Sequence, residues 1–139
     1  MSQFLSDTAV SPRGESQWRA EVHRGWRIGS VANGGYVLAL VGRALSEALK
    51  QPDPLSINAF YLAPVALGEV EVAVESLSET RSTHFASADL RQQGELKLRA
   101  TAAYTDLDLL KGPDWTNVTP PTVPAFDEAA SLAMSHLEI

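Results

Sequence analysis

The stretch Asn33-Gly34-Gly35-Tyr36-Val37-Leu38-Ala39-Leu40-Val41-Gly42-Arg43-Ala44-Leu45-Ser46-Glu47-Ala48-Leu49-Lys50 decides the fold of this chain. Its polar side chains, Arg43, Ser46, Glu47 and Lys50, recur at helical spacing and make one narrow stripe. The remaining positions are nearly all apolar. A helix with so little polar surface is enclosed on most sides. The pattern therefore predicts a central helix over residues 33–50, roughly 27 Å long. It does not describe a membrane span, because Arg43, Glu47 and Lys50 interrupt the run and the unbroken apolar part is too short.

The start of this helix carries the chemical interest. Asn33 is a good N-cap. Gly34 and Gly35 occupy the first turn, where glycine costs helix stability. The first N–H groups of a helix lack internal partners and sit at the positive end of its dipole. With no side chains in the way, those of Gly34 and Gly35 are placed to donate to a carbonyl or oxyanion. Paired glycines also mark plain turns, so spacing alone leaves both roles open.

The chain has 139 residues, enough for one domain with its own core. A net charge of −6 and the lack of a basic stripe argue against nucleic acid as a partner. The absence of cysteine excludes a disulfide framework, a thiolate nucleophile and a cysteine-ligated zinc. It is compatible with a cytoplasmic location. Met1 to Val10 has neither a basic start nor a sustained apolar run, so no signal peptide is read there.

Around the helix the pattern is mostly that of strands. Residues 1–15 are small and polar and read as a flexible N-terminus. Gln17 to His23 alternates in part, and Trp26 follows as an apolar anchor, a core or lid residue or a pocket wall. Pro52 and Pro54 end the helix. Four runs then alternate with period two: Leu55 to Ala63, Glu69 to Leu77, Thr83 to Gln92 and Glu95 to Tyr104. Their turns predict an antiparallel meander. Glu69, Glu71 and Glu75 form a solvated strand face, since a spaced row of carboxylates does not converge on a cation. Residues 109–124 read as a proline-rich linker, and 125–139 as the start of a further segment or a tail, with a weak helical pattern from Phe126 to Leu137.

Strand, enclosed helix and antiparallel run is the order of a hotdog fold, an α+β architecture in which an antiparallel sheet wraps one central helix, here over 16–108. Trp26 to Ala39 resembles the helix entry of acyl-CoA thioesterases of the double-hotdog, TesB-like kind. Phe60-Tyr61-Leu62-Ala63-Pro64, Arg81-Ser82-Thr83-His84-Phe85 with Gln93-Gly94, and Ala102-Ala103-Tyr104 are similar to the same family in order and spacing. The resemblance implies hydrolysis of an acyl-CoA thioester to free acid and CoA, as part of fatty acid metabolism. The carbonyl would be polarised by the backbone at Gly34 and Gly35, with Asn33 as cap. Pre-aimed N–H donors supply roughly 3 kcal/mol each at such an oxyanion. The acyl chain would lie between helix and strands near Tyr36, Phe60 and Tyr61, with Trp26 nearby. No cofactor and no metal is implied. Hotdog domains pair edge to edge, so a homodimer or pairing with a second hotdog domain is expected.

One departure limits this expectation. Hotdog thioesterases that use a helix carboxylate place it about two turns in, and seven residues beyond Gly35 stands Gly42. Glu47 lies on the polar stripe with Arg43 and reads as a solvated charge. His84 and Asp89 remain as weak base candidates, His84 read as a partly exposed strand histidine. His23 and His136 are weaker. In double-hotdog enzymes the second half supplies the acid, and this chain matches the first half. A non-catalytic hotdog half that pairs with a second domain or binds an acyl ligand is the alternative. A hotdog hydratase is disfavoured, because it wants an Asp and His pair and residues 26–42 contain neither.

Overall fold

A computed structural model describes residues 2–112, 117–125 and 128. The predicted helical pattern over Phe126 to Leu137, His136 with it, lies outside the described residues apart from Glu128. In chain order the elements are α1 (Gln3–Asp7), β1 (Val10–Gly14), β2 (Gln17–Val22), a 3-10 turn (Arg24–Trp26), β3 (Arg27–Ile28) and β4 (Val31–Ala32). The long helix α2 (Gly34–Ala48) follows. After it come β5 (Asp53–Tyr61), β6 (Gly68–Glu79), β7 (Thr83–Gln92), β8 (Glu95–Thr105) and a 3-10 turn (Leu107–Leu109).

Six strands form one antiparallel sheet in the order β1-β2-β6-β7-β8-β5, and β3 pairs with β4 in a separate small hairpin. This is the hotdog architecture: α2 packs on one face of the sheet. The period-two pattern places the faces correctly. Val70, Val72 and Val74 of β6, Ala86, Ala88 and Leu90 of β7, and Leu98, Ala100 and Ala102 of β8 all lie in the core, with the glutamates of β6 in solvent. Gln93 and Gly94 both have positive φ, which gives the β7–β8 hairpin a tight turn matched to strand twist.

The helix presents Tyr36, Val37, Leu40, Val41, Ala44 and Leu45 to the sheet. Leu40 and Leu45 are fully buried, each worth about 2 kcal/mol of transfer free energy. Enclosure is one-sided. Leu38, Ala39 and Gly42 stay partly exposed on the side away from the core, although the narrow polar stripe predicts enclosure on most sides. The sheet of one domain has only one face to offer.

The N-terminal residues depart from the expected flexible tail. Strand β1 pairs with β2, and Thr8, fully buried, caps α1. Short polar elements of this kind carry no periodicity and are held by contacts from elsewhere. Residues 117–125 are exposed throughout.

Candidate active site at the helix entry

Asn33 caps α2 as its residue type predicts. Its side-chain oxygen accepts from the N–H of Gly35 at 2.8 Å and of Tyr36 at 3.2 Å. Its own N–H donates to the Trp26 carbonyl at 2.8 Å, which ties the cap to the preceding turn. The two glycines are therefore not equivalent. The Gly35 N–H is held by the cap, whereas the Gly34 N–H donates to no described residue.

Gly34 lies beneath Tyr61, the last residue of β5. The Tyr61 hydroxyl donates to the Gly34 carbonyl at 2.9 Å, and a Cβ at residue 34 would meet the tyrosine ring at 3.3 Å. Glycine is favoured here by close approach, since a side chain would press the ring back by a few tenths of an ångström. At Gly35 a Cβ would meet the Asn33 carboxamide oxygen at 3.2 Å, so the second glycine protects the cap.

A cleft of about 300 Å³ opens at this point. Its walls are Val31 and Ala32 of β4, Gly34 and Val37 of α2, Tyr61, and the loop residues Leu62 to Val65. The lining is apolar apart from backbone groups and the Tyr61 hydroxyl. A larger cavity of about 470 Å³ lies at the other end of the helix, beside Lys50, Arg81 and Thr105, and includes none of the helix-entry residues. The smaller cleft is the relevant one, because it adjoins the start of α2.

Tyr36 and Trp26 do not line this cleft. Tyr36 turns toward β2, the opposite side of the sheet from β5. Its hydroxyl donates to the Asp7 carbonyl at 2.7 Å, lies 3.0 Å from the Glu21 carbonyl and accepts from the His23 N–H at 3.3 Å. Burial pushes its phenol above the ordinary value, so it stays protonated and keeps donating. Trp26 stacks on Tyr36 at 5.5 Å, meets Phe4 edge-on, and donates its indole N–H to Asp7 at 2.9 Å. These residues clasp α1 to the helix entry. Phe60 is 65% exposed and pairs with Arg99, which shares the outer face with Asp89, so it too lies away from the cleft. Of the four expected substrate contacts, Tyr61 alone reaches the cleft.

The base candidates are also elsewhere. His84, expected to be partly exposed, is 5% exposed, because even-numbered positions of β7 face the core. Its Nε2 shares a 2.7 Å hydrogen bond with Ser76. Its register neighbour Tyr104 reaches toward the carbonyl of Gly42, far along the helix from Gly34. Asp89 lies on the outer face of the sheet. Arg99 grips it through two hydrogen bonds of 2.7 Å and holds its carboxyl below the usual range. A carboxylate so held is a poor base. Glu47 is exposed, as its place on the polar stripe implies. A Cβ at Gly42 would meet nothing within 4 Å, so packing does not require glycine there.

Residues 22–105 match the family of acyl-CoA thioesterase N-terminal domains. No curated protein matches the sequence. A structure from Thermobifida fusca assigned as a thioesterase II shares 27% identity, with a TM-score of 0.83 over 89% of this chain and 47% of its own. A hotdog protein of unknown function from Alicyclobacillus acidocaldarius superposes equally well, with a TM-score of 0.83 at 21% identity over 96% of this chain and 50% of its own. The tesB protein of Mycobacterium avium subspecies paratuberculosis gives a TM-score of 0.69 at 18% identity, over 85% of this chain and 47% of its own. The chain thus spans about half the length of these solved structures. Because the family match covers more than half of its residues, the chain belongs to the acyl-CoA thioesterase N-terminal domain family.

Proposed function

We propose that this domain is the carbonyl-polarising half of an acyl-CoA thioesterase, which hydrolyses an acyl-CoA to free acid and CoA. The observation that carries this reading is the unpaired Gly34 N–H at the positive end of a 15-residue helix, beside an apolar cleft. Attack of water on a thioester builds negative charge on the carbonyl oxygen. A fixed N–H aimed at that oxygen stabilises the tetrahedral intermediate more than the substrate. The acyl group would lie along Val31, Tyr61, Leu62 and Val65. It would not run between helix and sheet, since Val37, Leu40, Leu98 and Ala100 close that interface.

The attacking water needs a base, and no acid or histidine lines the cleft. A second hotdog domain, in the same protein or a second copy, would supply it. Two features support such pairing. Strand β5 is an edge with Leu55, Phe60 and Tyr61 exposed, whereas the other edge, β1, carries Pro12. Leu38, Ala39 and Gly42 leave an apolar strip of α2 half covered. The exposed residues 117–125 would serve as the connection.

A second reading, a non-catalytic half that binds a partner domain or an acyl ligand, is favoured by that same lack of an acid at the cleft.

Gly34→Pro against Gly34→Ala separates these readings. Both place a carbon near Tyr61, but only proline removes the N–H. Proline is well accepted at the first helical position, and Asn33 already has the extended conformation that a following proline requires. On acyl-CoAs of graded chain length, Gly34→Pro is expected to lower kcat about 100-fold or more relative to Gly34→Ala. Equal rates would refute the oxyanion role. Binding without turnover once the chain is paired with a second hotdog domain would establish the non-catalytic half.

A further inference from the structure

Gln92 ends β7 on the core side of the sheet and is 7% exposed. Its carboxamide meets both the N–H and the carbonyl of one residue in a distant loop. The Ala66 N–H donates to Oε1 at 2.9 Å, and Nε2 donates to the Ala66 carbonyl at 2.9 Å and the Glu69 carbonyl at 3.4 Å.

That loop joins β5 to β6 and forms one wall of the cleft. Besides Gln92, the buried Val65 side chain and backbone bonds hold it. The N–H groups of Leu62 and Ala63 both point to the Lys97 carbonyl, at 2.9 and 3.3 Å. The Val65 carbonyl accepts from the Ala32 N–H at 2.9 Å. Gln92 therefore grips the residue next to Val65, and Val65 is tied to the residue before the cap Asn33.

We propose that Gln92 is a positioning residue for this cleft, acting through Ala66 and Val65 on Ala32 and so on the N–H donor of Gly34. The inference rests on the thioesterase reading above. An amide pairs both the backbone donor and the backbone acceptor of one residue. Glutamate would accept from the Ala66 N–H but set a carboxylate against two carbonyls. Methionine would fill a similar volume and make neither bond, so the Ala66 N–H and carbonyl would lose their side-chain partner.

The test compares Gln92→Met and Gln92→Glu with Thr105→Val. Thr105 also makes a buried bond from side chain to backbone, 2.7 Å to the Ser82 carbonyl, at the opposite end of β8 from the loop. Acyl-CoA kinetics and residue-resolved amide hydrogen exchange are measured on each. Both Gln92 variants are expected to lose about tenfold or more in kcat/KM. They should also speed exchange at Ala32 and Ala66 while β6 to β8 stay protected, and Thr105→Val should do neither. Gln92 variants that behave like Thr105→Val would overturn the proposal. If Gln92→Met does not fold, Gln92→Glu carries the comparison. If the unaltered chain, paired with a second hotdog domain, turns over no acyl-CoA, the thioesterase reading fails on its own. Exchange at Ala32 then decides the positioning link, and an unchanged rate there refutes it.

Discussion

The Tyr61 hydroxyl donates to the Gly34 carbonyl at 2.9 Å, and its ring stands 3.3 Å from where a Cβ at residue 34 would be. Gly42, in the same helix, has open space where a side chain would stand. The two glycines should respond oppositely to alanine. Gly42→Ala is expected to stabilise the fold by about 0.5–1 kcal/mol, the usual gain from removing a mid-helix glycine. Gly34→Ala should bring no such gain until Tyr61→Ala removes the ring. Denaturant titration of the single and double variants should give a coupling of about 0.5 kcal/mol or more. Additivity would deny that Tyr61 is the reason for Gly34.

Stability and turnover should part at Asn33. Asn33→Ala removes the acceptor for Gly35 and Tyr36 and is expected to cost about 1 kcal/mol. Asn33→Asp keeps both bonds and adds negative charge at the positive helix end, a gain of about 0.3–1 kcal/mol. The same charge opposes an oxyanion at Gly34, so kcat should fall as the melting temperature rises. A rise in both would contradict a developing negative charge there.

Asp89 should matter for acid stability and not for catalysis. Arg99 lowers its folded pKa, so its contribution is present above the unfolded carboxylate value of about 3.9. It is lost as pH falls through the lower folded value. Asp89→Asn should therefore lower stability at pH 7 and make little difference in acid below both values, with kcat unchanged. Denaturant melts at several pH values, alongside kinetics at pH 7, check both halves. Lost turnover with intact stability would restore Asp89 as a base.

Pairing through β5 predicts an asymmetry between the two sheet edges. Leu55→Lys with Phe60→Lys should weaken association, with folding retained, because both side chains are exposed on that edge. Ser11→Lys on β1 should leave it unchanged. Sedimentation velocity distinguishes the two. Equal effects would place the interface elsewhere.

Much of this fold is written in local patterns. Period-two alternation in β6, β7 and β8 gave the strands and their faces, because one face of each is buried and the other wet. The α2 pattern gave the helix, and Asn33 its start. The capping rule also assigns the Gly35 N–H to Asn33 and leaves the Gly34 N–H outside the cap. What was not legible depends on pairs remote in sequence. Tyr61 over Gly34, Gln92 on Ala66 and Asp7 on Trp26 follow from register and loop path, and no local spacing encodes them. The N-terminal segment was read as a tail because its two short elements show no periodicity. His84 was misjudged by residue type, although its even position alternates with exposed Phe85 and pointed inward.

The most direct measurement is the amide shift of Gly34 in the folded chain, labelled with nitrogen-15. Two non-hydrolysable acyl-CoA analogues are compared, one with a ketone in place of the thioester and one with a methylene in place of the carbonyl. A donor aimed at the carbonyl predicts that the ketone alone moves the Gly34 N–H strongly downfield, while both analogues perturb Val31, Val37 and Leu62. The same Gly34 response to both, or none while those cleft residues respond, would contradict the role assigned to the helix entry.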